Sequence, residues 1–197
     1  MIEYIKGEII ELTPTQMILE CAGIGYELNI SLNTYTFFNG KQTGKIYVYE
    51  VIREDAHLLF GFAEKLEREL FLLLTSVSGV GPNTARMILS SLSSSDLIRV
   101  IADKDETALT AVKGIGLKTA QRILVDLKSK VKSMEGVATS KGVSSSIPSS
   151  AIAEEAVAAL VMLGFQKAAS QKAVHAILKG SPTLAVEQVI KTALRML

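Results

Sequence analysis

One cysteine, Cys21, and two histidines, His57 and His175, are all the chain has of thiol and imidazole metal ligands. An intramolecular disulfide cannot form, and a structural zinc or iron–sulfur site would lack its thiolates and imidazoles. No apolar run approaches the roughly 18 residues of a membrane-spanning helix. The opening MIEYIKGEIIEL carries acids where a secretory signal would carry bases. Together these absences predict a cytoplasmic protein with no cofactor. With 48% hydrophobic and 21% charged residues, wholesale disorder is excluded. A length of 197 residues allows one or two ordinary domains or several small ones, and argues against a large single-core enzyme.

Charge of one sign is also missing from the whole, since 21 basic residues balance 20 acids, but the distribution is uneven. Residues 1–63 carry 4 basic and 8 acidic side chains, residues 64–132 carry 11 and 8, and residues 133–197 carry 6 and 4. A polyanion should therefore be held mainly by the middle segment.

Short strand-like runs fill the first third, at 4–12, 17–20, 26–30, 45–52 and 58–62. They are separated by Thr13-Pro14, by Gly23-Ile24-Gly25, by Asn33–Gly44 and by Arg53–His57. Five strands in about 60 residues suggest a small OB-like barrel, because an open sandwich would need about seven. From Glu64 the period becomes helical, with Leu66, Leu70, Leu73 and Leu74 on one face. Two breaks follow, and around them the chain repeats itself: VSGVGPNTARMIL (77–89) aligns with VKGIGLKTAQRIL (112–124) at an offset of 35. Two copies are too few for a solenoid, so they form a pair.

Residues 133–150 hold seven serines, two glycines and one proline, the composition of a flexible linker. Beyond them a three-helix module is expected over 151–197. Ile152, Ala156, Ala159, Leu160 and Leu163 form one face, Gly164 stops the first helix, and a second runs from about Gln166 to Lys179. The third is expected to start with Ser181 as N-cap and Pro182 at its first position, with a stripe from Val186 to Leu197. The fold class is thus α+β and multidomain: barrel at 1–63, helical domain at 64–132, linker at 133–150, helical module at 151–197.

Each repeat places a hydrophobic–x–Gly–hydrophobic–Gly turn before a helix whose first turn carries Thr-Ala. Paired glycines let a backbone turn tightly and approach a ligand, while the first amides of the next helix point outward at its positive dipole end. Such a site takes a phosphate and ignores the base. A single Gly-x-Gly would mark only a helix-terminating turn, but here it recurs in a basic segment. A dinucleotide-binding fingerprint needs a third glycine where Thr84 and Thr119 stand, and a P-loop needs glycine before Lys118, where Leu117 sits.

GVGPNTA and GIGLKTA resemble the two helix-hairpin-helix motifs of the RuvA family of Holliday junction-binding proteins. GEIIEL, AGIGYEL, VIREDAHLLFGF and LVMLGF…ALRML resemble the same family in order and spacing. The resemblance implies an OB-fold domain, tandem helix-hairpin-helix motifs, a mobile linker and a UBA-like C-terminal domain that contacts the hexameric motor ATPase RuvB. It implies a homotetramer on four-way junction DNA, open to pairing into an octamer and to the RuvC resolvase as a further partner, in the bacterial cytoplasm at the nucleoid. Carried over, the DNA-binding set is Gly79, Val80, Gly81, Asn83 and Thr84 in the first hairpin. In the second it is Lys113, Gly114, Ile115, Gly116, Lys118, Thr119 and Arg122. Asn83 stands where the family often has lysine, and Lys113 where proline is common. Glu54 and Asp55 correspond to the family's acidic pin, and Leu160, Leu163, Gly164 and Phe165 to the motor contact.

No His/Ser/Asp spacing or acidic metal cluster points to catalysis, so ATP hydrolysis is assigned to the partner. The rival reading is a helix-hairpin-helix glycosylase or lyase with Lys118 as nucleophile. It needs a downstream aspartate, and the last one is Asp126. A non-catalytic module tethering a nuclease is the third reading.

Overall fold

The computed structural model describes residues 1–132, 149–181, 184–194 and 196. The chain divides into two compact units, 1–140 and 141–197.

In the first unit five strands close into a barrel: β1 (Tyr4–Leu12), β2 (Gln16–Cys21), β3 (Ile24–Ile30), β4 (Thr43–Ile52) and β5 (His57–Phe62). Their order is β1-β2-β3-β5-β4, with β4 returning to β1. Only β3 and β5 run parallel; the other pairings are antiparallel. Alternation does what a half-buried strand requires: Met17, Leu19, Leu28, Ile30, Ile46 and Val48 point inward and are buried. Closure brings β1 against β2 so tightly that a Cβ at Gly7 would lie 1.9 Å from the Glu20 carbonyl oxygen. The fold is the OB-like barrel expected, with two differences in detail. Ile24 and Gly25 belong to β3, the turn being made by Ala22 and Gly23 at positive φ. The span 33–44, expected as a connection, contains helix α1 (Leu32–Phe38).

That helix owes its existence to tertiary contacts. Ser31 caps it through the Thr34 amide. Ser31 and Thr34 both donate their hydroxyls to the buried carboxylate of Glu67, in helix α2 (Lys65–Thr75). Burial drives the Glu67 carboxyl above the usual range, and those two hydroxyls offset part of the shift. A second tie is Arg68, which donates to the Glu3 carbonyl at 2.9 Å and pairs with the Glu3 carboxylate. Phe71 completes the join, its ring 4.9–5.7 Å from those of Phe62, Phe60 and Tyr49. The change from strand to helix at 63–64 is therefore continuous packing.

Helices α3 (Pro82–Ser91), α4 (Ser94–Asp103), α5 (Glu106–Thr110) and α6 (Leu117–Lys132) finish this unit around Leu70, Leu74, Ile88, Leu97, Ile101, Leu109, Ile123 and Leu127. The second unit holds α7 (Ser149–Met162), α8 (Lys167–Gly180) and α9 (Val186–Ala193), packed on Ala156, Leu160, Val174, Val189 and Ala193. Three expectations change here. The last two residues of the expected linker, Ser149 and Ser150, begin α7, while 133–148 lie outside the described residues. Leu163 is 60% exposed and leaves the expected core face, because α7 ends at Met162. Ser181 closes α8 by donating its amide to the Ile177 carbonyl, so it does not cap the third helix, which starts at Val186 after Ala185. Pro182 and Leu197 lie outside the described residues.

Candidate nucleic-acid interface

The repeated sequence folds into two copies of one backbone motif. In the first hairpin, between α2 and α3, the Val77 amide donates to the Leu74 carbonyl at 3.1 Å. Val80 donates to Val77 at 3.0 Å, and Ala85 to Gly81 at 2.9 Å. In the second, between α5 and α6, Val112 donates to Leu109 at 3.1 Å, Ile115 to Val112 at 3.1 Å, and Ala120 to Gly116 at 3.0 Å. Every donor and acceptor is displaced by 35 positions, the offset of the sequence repeat.

The apolar residues of the motif explain its shape. Val77, Val80, Ile88 and Leu89, and their counterparts Val112, Ile115, Ile123 and Leu124, are buried. Each such side chain contributes about 1.5–3 kcal/mol when taken from water. This anchors the loop from below and leaves its glycines outside. Gly79 and Gly114 have φ of +92° and +90°, a conformation that side chains with a Cβ resist. Gly81 has φ −83°, so its glycine is not demanded by the backbone. At all four glycines a Cβ would meet nothing within 4 Å. Directly after these glycines come the first turns of α3 and α6, where the amides of Asn83, Thr84, Lys118 and Thr119 have no acceptor inside the helix. These turns can take anionic oxygens from a ligand at the positive ends of two helix dipoles.

The two copies differ in charge. Lys113, Lys118 and Arg122 of the second hairpin correspond, 35 positions back, to Ser78, Asn83 and Met87. Lys113, Lys118 and Arg122 are all exposed. Arg122 does more than present a cation, because its Nη1 donates to the Ser78 carbonyl at 3.3 Å and ties the second helix to the first loop. Ser78 was not singled out from the sequence, where nothing marks a main-chain acceptor. Val80 and Ile115 can contribute only through their backbones.

Glu54 and Asp55 occupy the exposed β4–β5 turn, which the Arg53 amide closes by donating to the Ala56 carbonyl at 2.8 Å. Beside it, His57 lies 4.0 Å from the Glu50 carboxylate. In the second unit Leu160 is fully buried, Phe165 is half-buried, and Gly164 at φ +97° turns the chain. Leu163 is exposed there, and so is Met162 at 89%, a surface residue the sequence reading passed over. Among the described residues no three histidine, cysteine or carboxylate side chains group as metal ligands would. No described helix is long and apolar enough to cross a membrane.

Known proteins align with this chain from end to end. Residues 1–61 match the RuvA N-terminal domain, residues 71–129 a SAM-like tandem helix-hairpin-helix, and residues 151–197 the RuvA C-terminal domain. The chain is 81% identical, over all of both sequences, to the Holliday junction branch migration complex subunit RuvA of Parabacteroides distasonis. It is 58% identical over full length to the protein of that name from Bacteroides fragilis, and 53% to that from Porphyromonas gingivalis.

Proposed function

The chain belongs to the RuvA family, and from that premise we infer that it is the Holliday junction-binding subunit of the branch migration complex, working with the motor RuvB. The observation that carries the reading is the pair of hairpins with the same three hydrogen bonds 35 residues apart, each opening a helix N-terminus to an anion. Backbone donors contact phosphates of any sequence, which suits a branch point that must slide along homologous DNA.

Amides around Gly79–Thr84 and Gly114–Thr119 hold phosphates on two DNA strands, with Lys113, Lys118 and Arg122 adding charge at the second. A homotetramer presents eight hairpins to the four arms, and two tetramers enclose the DNA as an octamer. At the tetramer centre the Glu54 and Asp55 carboxylates repel phosphates and disfavour a duplex lying across the face. The C-terminal module engages the motor through the surface around Leu163 and Phe165, which Leu160 supports from the core. The chain catalyses nothing by itself, the motor hydrolyses ATP, and the resolvase RuvC acts on the same junction.

Mixing the chain with RuvB, ATP and a synthetic four-way junction tests this directly. Branch migration and ATP hydrolysis should both rise well above the level of the motor alone. A motor indifferent to the chain would overturn the reading. Cleavage of an abasic duplex by the chain alone would restore the glycosylase/lyase alternative.

A further inference from the structure

We propose that the groove between α7 and α8 docks an acidic, amphipathic peptide segment of a partner protein. The first observation is the composition of α7. Of its fourteen residues only Glu154 and Glu155 are charged, and from Ala151 to Met162 every other residue is apolar. A helix that is apolar on all sides belongs in an interior. Yet of α7 only Ala156 and Leu160 are fully buried in the core of the three-helix module; Ile152, Ala153 and Val157 pack against that core while staying partly open. Ala153, Val157 and Val161 form the floor of an open groove of about 980 Å³ against α8, with Val161 41% exposed.

The second observation is charge. The opposite wall is α8, which carries Lys167, Lys172 and Lys179 and no acid. Lys167 and Lys172 line the groove, both exposed, while Glu154 is the one acid lining it and sits on the α7 side. An occupant must therefore bring apolar side chains for the floor and carboxylates for the α8 rim. A helix with leucines at i, i+4 and i+7 and acids between them meets both demands. A DNA backbone would meet the second alone and leave the apolar floor wet. Leu163, Gly164 and Phe165, the surface assigned to the motor, do not line the groove but adjoin it through Val161 and Lys167.

The full-length chain should be titrated into a fluorescein-labelled 16-residue peptide with leucines at helical spacing and glutamates between them. Two control peptides replace the glutamates with lysines or the leucines with serines. The acidic peptide should bind saturably and at least tenfold more tightly than either control. The double variant Lys167→Glu with Lys172→Glu, confirmed folded by circular dichroism, should invert the preference and favour the lysine peptide. Absence of saturable binding, or a preference that the variant leaves unchanged, would overturn the proposal. So would a variant that loses affinity for a linear duplex while binding the acidic peptide as before, since the lysines would then serve DNA.

Discussion

At the scale of the residue, the glycines separate two roles that the repeat superimposes. Gly114 needs its positive φ, so Gly114→Val should cost about 1–3 kcal/mol of stability and weaken DNA binding as well. Gly116 has no such φ and open space around it, so Gly116→Val should fold within about 0.5 kcal/mol of wild type. It should still lose about tenfold in junction affinity, about 1.4 kcal/mol, because the added methyls stand where a phosphate must approach. Thermal melts with fluorescence anisotropy on one sample set separate the two effects. A Gly116→Val variant that binds normally would mean the second hairpin does not cradle phosphate. The cations are tested by salt. Lys118→Ala removes one cation from each of the four proposed subunits and should make the plot of log affinity against log salt shallower by about three to four. Asn83→Ala should leave the slope unchanged, since it removes no charge.

Glu67 provides a test at the same scale that is independent of DNA. Its carboxyl is raised by burial, and a raised acid contributes stability that is complete below the unfolded value of about 4.5 and is lost as pH climbs through the folded one. Glu67→Gln cannot ionise. The variant should therefore gain on wild type as the pH of urea melts rises from 4 to 8. A difference constant across that range would mean the carboxyl ionises as freely as in water.

At the scale of the element, the selectivity proposed for the exposed β4–β5 turn can be tested. Replacing Glu54 by Gln and Asp55 by Asn would remove eight charges from the proposed tetramer and should strengthen duplex binding more than junction binding. The effect should be greatest below 0.1 M salt, where screening is weakest and a charge acts beyond about 10 Å. An unchanged affinity ratio in an intact tetramer would reduce these acids to a solvated turn. Elements with strong periodicity were legible in the sequence: the five strands follow alternation and α2 carries a 3.6-residue stripe, whereas α4 and α5 were not singled out and α7 is apolar all round. Helix α1 was not. LNTYTFF is rich in residues that favour strands, and its helix is held by Ser31, Thr34 and Asn33 through partners 33 to 59 positions away. Ser181-Pro182 misled for a related reason: the signal for a helix start is also met by a residue closing the helix before it. The hairpins were readable because the repeat doubled a weak motif. The Arg122 contact to Ser78 was invisible because a main-chain carbonyl carries no sequence mark.

At the scale of the whole molecule, the two compact units have separate hydrophobic cores, and the division of labour should follow them. A chain ending at Lys132 keeps the barrel, α1 to α6 and both hairpins. It should bind a junction within about threefold of the full chain while failing to stimulate the ATPase of RuvB. Retained stimulation would place the motor contact in the first unit. We propose that backbone cradles on a four-fold assembly select the shape of the DNA and ignore its sequence. A competition experiment tests it most directly: a labelled four-way junction bound to the chain is challenged with unlabelled linear duplex of the same total length, then with junctions of unrelated sequence. The unrelated junctions should displace the label as well as the original does, while duplex should require a large excess. Equal displacement by duplex, or a strong preference for one base sequence, would contradict it.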